Sequence, residues 1–350
     1  MKKTSVCMAV LAMVAGFAPL YANGTKEEAR TNQALDENAV VVYATSSFCG
    51  EWGPGPKLAK DFEAKYGIKV QLVDCGSTGE MLTKLVAEKD DPKADAVFCI
   101  SDNMATRVYD ADVLATYDSP VLKDIPAFLQ FDPKDRLLPY DYGNFAFVYD
   151  TERIPSDQIP HSLEDLKKPF FAKKVILIDP RTSSAGMGLL QWTIEVYGED
   201  HYLDWWKAME PNTLTIADGW SSGYGLFTEG EAPIVLSYTT SPVYHVLNEH
   251  TTRYQTLIFD EGHAATVEGC GLAKGARHPA AAKTFIDYAL TDAQLDIAIT
   301  DSMYPVNAAV ELPEAFNYAP KPAKSLFMDS DTLMKKQNKW LDEWEKAMNN

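Results

Sequence analysis

Small hydroxylic residues and aromatic rings recur directly after apolar runs in this 350-residue chain, and they are its best candidates for chemistry. Thr45, Ser46 and Ser47 follow the run Ala39–Ala44. Gly76, Ser77 and Thr78 follow Ile68–Val73, and Ser101, Asp102 and Asn103 follow Asp95–Ile100. The second half repeats the arrangement. Asp179 to Ser184, including Ser183, follow Val175–Ile178. Gly219-Trp220-Ser221 follow Leu214–Ala217, and Tyr238, Thr239, Thr240 and Ser241 follow Pro233–Ser237, with Tyr244 six residues beyond Tyr238. Hydroxyls and free backbone N–H groups at helix starts can hold polar or anionic groups. Their commoner use is helix capping. Trp52 sits in a rigid Gly/Pro turn, Trp52-Gly53-Pro54-Gly55-Pro56. Flat rings such as Trp52, Trp220, Tyr238 and Tyr244 stack on ligand rings and attract cations, at roughly 0.5–2 kcal/mol each. Trp192, Trp205 and Trp206 lie within helical stretches and are assigned to packing.

Catalytic and metal patterns are missing from the sequence. It has no G-x-S-x-G, no Walker loop, no dinucleotide fingerprint and no metalloprotease helix motif. The six His are scattered, and only His245 lies near a strand end, where packing or capping is its expected role. Cys49, Cys75, Cys99 and Cys270 form no CxxC pair and have no His at zinc spacing. Cys49 and Cys75 follow successive strands, where a bridge fits an exported chain. Cys99 and Cys270 read as buried small hydrophobes. Fifty acidic against 32 basic residues give a formal charge of −18, which disfavours nucleic acid as a partner. The acidity serves solubility and biases the chain towards cationic solutes.

Several elements must position these loops. Residues 1–22 read as a secretory signal, with Lys2 and Lys3 before the apolar Val6–Leu20 and cleavage after Ala22. Residues 23–38 read as a loose lead-in. Strands and helices then alternate over 39–140 as a first lobe, which implies a parallel sheet with right-handed crossovers. An extended crossing at Tyr142–Tyr149 opens a second α/β lobe over 141–265. A return crossing at Gly262–Lys274 leads residues 266–350 back to the first lobe, ending in a helix over Ser330–Met348. Ligands of open parallel sheets bind beyond the carboxyl ends of the strands. The expected fold is therefore α/β and two-lobed, with hinge crossings and a ligand cleft between the lobes.

The quoted residues resemble the periplasmic thiamine-binding proteins of bacterial ABC importers. The resemblance runs through Trp52-Gly53-Pro54-Gly55-Pro56, Asp141 to Asp150, Asp179-Pro180-Arg181-Thr182-Ser183, Gly219-Trp220-Ser221 and Tyr224-Gly225-Leu226-Phe227. It continues through Leu236 to Pro242 and Met303-Tyr304-Pro305-Val306. It implies a periplasmic-binding-protein fold, no catalysis and no cofactor. It also implies capture of thiamine, thiamine monophosphate or thiamine diphosphate by a soluble periplasmic monomer that serves importer membrane subunits. By the same resemblance Ser183, Ser184, Tyr238, Thr239, Thr240 and Ser241 contact the ligand near its phosphate. Trp220 and Tyr244 line the aromatic wall, with Trp52 a further member. Ser77 and Thr78 fall where the family has a contact pair, commonly acidic-Gly. Ser302 stands where relatives carry Trp, and Thr45-Ser46 where a Tyr-Asp pair is common. These departures remove a carboxylate and aromatics. The alternatives are a thiamine-degrading enzyme using Cys49, a receptor for another cationic solute, and a metal receptor.

Overall fold

The computed structural model describes residues 35–349, so the signal at 1–22 and residues 23–34 lie outside the described residues. Strand β1 (Ala39–Ala44) is buried along its whole length, as its unbroken apolar sequence requires. β2 (Lys69–Asp74) is an edge strand, with Lys69 exposed and only Val73 buried. β3 (Ala96–Ser101) is again fully buried. β1 pairs in parallel with both, so helices must carry the chain back. Helix α1 (Gly55–Tyr66) has Pro56 in its first turn, buries Leu58 and Phe62, and stops at Gly67, whose φ of 69° costs least for a residue without Cβ. Helix α2 (Thr78–Ala87) begins at a capping box in which Ser77 and Glu80 satisfy each other's backbone N–H.

β4 (Leu138–Asp150) is the long crossing. It is thirteen residues, nearly all buried, and begins four residues before the expected Tyr142. Its second half meets the parallel strands of the other lobe, β5 (Val175–Ile178), β6 (Thr213–Ala217) and β7 (Ile234–Tyr238). Between them lie α3 (Ser184–Tyr197), α4 (Tyr202–Met209) and α5 (Trp220–Thr228). The expected helix from Pro242 to Leu247 is only Pro242–Tyr244, continued by a wider π turn over His245–Glu249. That turn buries His245, whose ring bonds Tyr224 Oη at 2.8 Å and Glu249 at 2.6 Å.

β8 (His263–Ala273) returns the chain to the first lobe. It is followed by α6 (Pro279–Leu290), α7 (Gln294–Asp301), the short β9 (Tyr304–Pro305) and the closing helix α8 (Ser330–Met348). The strand path is β2-β1-β3-β8-β4-β7-β5-β6. β8 and β4 therefore stand between two parallel sheets, and β4 belongs to both. Its residues 138–144 pair with β8, and 145–149 pair with β7. Trp192, Trp205 and Trp206 are buried as expected. Each indole N–H is satisfied, by Gly262 O, Leu163 O and Thr193 Oγ1 respectively. Helix α8 touches both lobes: Trp344 packs edge-on to Trp206, while Gln337 donates to Asn103 O.

His263 locks the start of β8 to β4. Its Nε2 accepts from Phe259 N and its Nδ1 donates to Phe145 O, both at 2.8 Å, and it is wholly buried. Burial lowers its pKa from 6.5 to about 4. The folded state thus favours neutral His263. Its contribution is complete above pH 6.5 and is lost as pH falls through about 4, a total of roughly 3 kcal/mol. Urea unfolding over this range should show a shallower loss in His263→Gln than in the parent. Equal pH slopes would contradict this assignment.

Candidate functional site

The loops at the strand ends of the two lobes meet. Gly79 N donates to Thr182 O at 2.9 Å, and Asn103 Nδ2 donates to Ser184 O at 2.9 Å. Trp52 of the first lobe and Trp220 of the second bring their ring centres to 5.8 Å. The lobes are closed on one another in this arrangement.

Trp220 opens α5 shortly after β6, and its half-buried ring packs against the edge of the second lobe's core. Its indole N–H donates to Ser237 Oγ at 2.8 Å. Ser237 Oγ in turn bonds Ser241 Oγ at 2.7 Å, and Ser241 Oγ also accepts from Tyr238 N. One turn along α5, Tyr224 stacks on Trp220 at 4.9 Å and 20°. Tyr238 stands 6.4 Å from Trp220 and 5.2 Å from Phe145. The result is an aromatic wall of Trp52, Trp220, Tyr224 and Tyr238. Trp52 is 41% exposed, so part of its ring stays open to solvent at the end of the wall.

Beside this wall lies a group of acids on the crossing strands. Asp141 of β4, Glu268 of β8 and Asp301 at the end of α7 bring carboxylate oxygens within 4.8 Å of one another. Local backbone features place them. The β8–β4 ladder shifts register between Glu268 and Gly269, and such bulges re-aim a side chain. Ser302, in the left-handed region at φ 54°, ends α7 immediately after Asp301. β9 then pairs Pro305 with Asp141. Asp141 is fully buried, and its carboxyl has no hydrogen-bond partner except the Asp301 carboxyl, with which it can bond only by sharing a proton. Glu268 accepts from Tyr140 Oη at 2.8 Å. All three pKa values are pushed up by burial, those of Asp141 and Asp301 further by the neighbouring Glu268. Tyr238 Cδ1 stands 3.9 Å from where a Cβ on Gly143 would lie, two residues along β4 from Asp141, so the wall and the acids adjoin, and the Tyr238 phenol is raised by burial and then by the three acids.

The sequence profile described as bacterial extracellular solute-binding protein matches residues 57–324. A thiamine-binding periplasmic protein of Brucella melitensis is 37% identical over 316 residues, covering 89% of this chain and 92% of the relative. One from Escherichia coli K12 is 36% identical over 310 residues, covering 88% and 93%. A solved periplasmic thiamin binding protein superposes with a TM-score of 0.82 at 35% identity, covering 88% of this chain and 96% of its own. This chain belongs to the bacterial extracellular solute-binding proteins.

In this solute-binding protein the hydroxyls of the strand-end loops mostly bond the protein itself. Ser77 caps α2, accepting from Glu80 N, and faces Gly219 across the cleft. Thr78 is buried, with Oγ1 directed to Cys99 O. Ser241 supports Trp220, and the Thr240 hydroxyl turns to Met303 Sδ at 3.7 Å. Ser183 and Ser184 are buried at the start of α3, where Ser183 makes no side-chain cap bond, and Thr239 Oγ1 is buried with no partner. The Tyr244 ring meets His245 at 5.4 Å rather than joining the Trp220 stack. Tyr224, Asp141, Glu268 and Asp301 were not singled out as site residues in the sequence. The signals were the four-residue spacing of Trp220 and Tyr224 and the carboxylates of Asp141 and Glu268 inside largely apolar strands, while Asp301, at a helix end, had none.

Gly79 controls how closely the lobes approach. A Cβ there would meet Thr182 O at 2.9 Å and Thr182 Cα at 3.0 Å, both backbone atoms of the opposite lobe. Gly79→Val should therefore hold the lobes apart while leaving each lobe folded. Small-angle X-ray scattering should give a larger radius of gyration for the variant than for the parent, with melting temperature changed by only a few degrees. An unchanged radius would contradict the closed contact.

Proposed function

We propose that this solute-binding protein captures thiamine or a thiamine phosphate in the periplasm, as a monomer, and delivers it to the membrane subunits of an ABC importer. The observation that carries the reading is the aromatic wall of Trp52, Trp220, Tyr224 and Tyr238 set against the buried acids. A ring that is both flat and positively charged satisfies both surfaces at once. The start of α3, with Ser183 and Ser184, offers backbone N–H groups of a fourteen-residue helix to a phosphate. The thiamine-binding names of relatives aligned over nearly their whole length support the same solute.

An enzymatic reading has little support from the site. Cys49 is a free thiol, and its pKa is driven upwards by burial and then by Asp74 and Cys75. A nucleophilic thiol needs the opposite environment. Cys75 is also free and is pushed up to about 12, burial being the leading cause. The bridge between them that the sequence allowed is not formed in this structure.

Calorimetric titration with thiamine and its mono- and diphosphate tests the reading, and binding of at least one at micromolar concentration is expected. Absence of heat from all three at tens of micromolar would overturn it. Trp220→Ala should weaken binding at least about tenfold, a loss of only ~1.4 kcal/mol. Unchanged affinity would remove Trp220 from the site.

A further inference from the structure

We propose that Asp141, Glu268 and Asp301 form a proton-holding floor of the cleft, which accepts the positive charge of the solute and releases about one proton to solvent as the solute enters. The inference rests on the thiamine reading and adds a linkage to it. No bond to the solute forms or breaks; a fixed cation replaces a dissociable one.

Position is the first support. Glu268 lies opposite Ser101, the last residue of β3, and Tyr238 ends β7. The acids thus sit between the carboxyl ends of strands from both lobes, where ligands of such sheets bind. Glu268 and Asp301 keep partial exposure, while Asp141 is fully buried.

The groups around the acids give the second support. From β3 comes Ser101, whose buried hydroxyl lies against Glu268 yet lacks a partner of good geometry. The adjoining Asp102 is raised to about 7, chiefly by burial. β4 contributes Tyr140, whose hydroxyl is given to Glu268, and β7 contributes Tyr238. Cys99 is raised by burial and by Glu268. The charges acting on Asp141 and Asp301 are those of the other acids, and among the described residues no salt bridge to Lys or Arg involves any of the three. Three buried carboxylates this close cannot all be ionised without a counter-charge. A proton supplies it in the empty protein, and Asp141, with no other donor, is the natural place for it to be shared. Beyond that shared proton no N–H or O–H of the described residues reaches the Asp141 carboxyl, which leaves it for a ligand's charge to satisfy.

The sign follows. The empty cluster holds its proton above the usual carboxylate range, and the cation lowers that affinity. Binding therefore strengthens as pH rises, by up to about tenfold per pH unit, and levels off once the empty cluster is ionised.

Thiamine titrations of the full mature protein near neutral pH, in PIPES and in Tris, test this, since the two buffers differ in protonation heat and neither is a phosphate. The expected result is a heat that differs between buffers by an amount equal to about one proton released. Asp141→Asn should retain measurable binding with the buffer difference reduced towards zero. Neutral deazathiamine, without the quaternary nitrogen, should release none. Identical heats for the parent protein in both buffers would overturn the proton linkage while leaving thiamine capture intact. No thiamine heat in either buffer would overturn both.

Discussion

The structure depends on one continuous strand. β4 cannot serve two sheets unless its thirteen residues stay extended across the junction, paired first to β8 and then to β7. Almost every backbone polar group along it is buried, so any break would leave donors and acceptors without partners. Both lobes are therefore fixed in register to the same backbone, and their strand ends must face one another. His263 closes the junction from the β8 side, tying Phe259 and Phe145 through one imidazole.

That same junction carries the acids. A buried carboxyl is costly to ionise, and Asp141, enclosed with only the Asp301 carboxyl as a partner, is such a case. Residues of this kind destabilise the empty fold and persist where a ligand relieves them. The aromatic wall follows a similar logic. Ser237 and Ser241 hold the Trp220 indole by its N–H, and Tyr224 supports one face. The ring is pre-positioned before a solute arrives, which lowers the ordering cost of binding. Closure brings Trp52 against this wall, with Gly79 small enough for the lobes to touch.

Much of this was legible in the sequence, because local chemistry dictates it. Unbroken apolar runs such as Ala39–Ala44 and Val175–Ile178 mark buried parallel strands, and Gly219-Trp220 marks a ring at a strand end. The use of each hydroxyl was not legible. Ser77 capping α2 and Ser241 supporting Trp220 have the same sequence appearance as ligand contacts, and only tertiary geometry separates the two. The acids were hidden for a different reason. Asp141, Glu268 and Asp301 are far apart in the chain and meet through a β-bulge, a left-handed Ser302 and the two-residue strand β9. None of these long-range features has a strong local signature. The absent acidic-Gly pair at Ser77-Thr78 suggested a site short of negative charge, whereas the crossing strands supply it from elsewhere.

The central claim is that this cleft selects a ring carrying a positive charge. Native mass spectrometry of the mature protein, mixed with equal amounts of thiamine, its two phosphates and a neutral isostere, tests it directly. The account predicts one thiamine-class cation per chain, with the isostere left free. Equal retention of the neutral isostere, or no added mass, would contradict it.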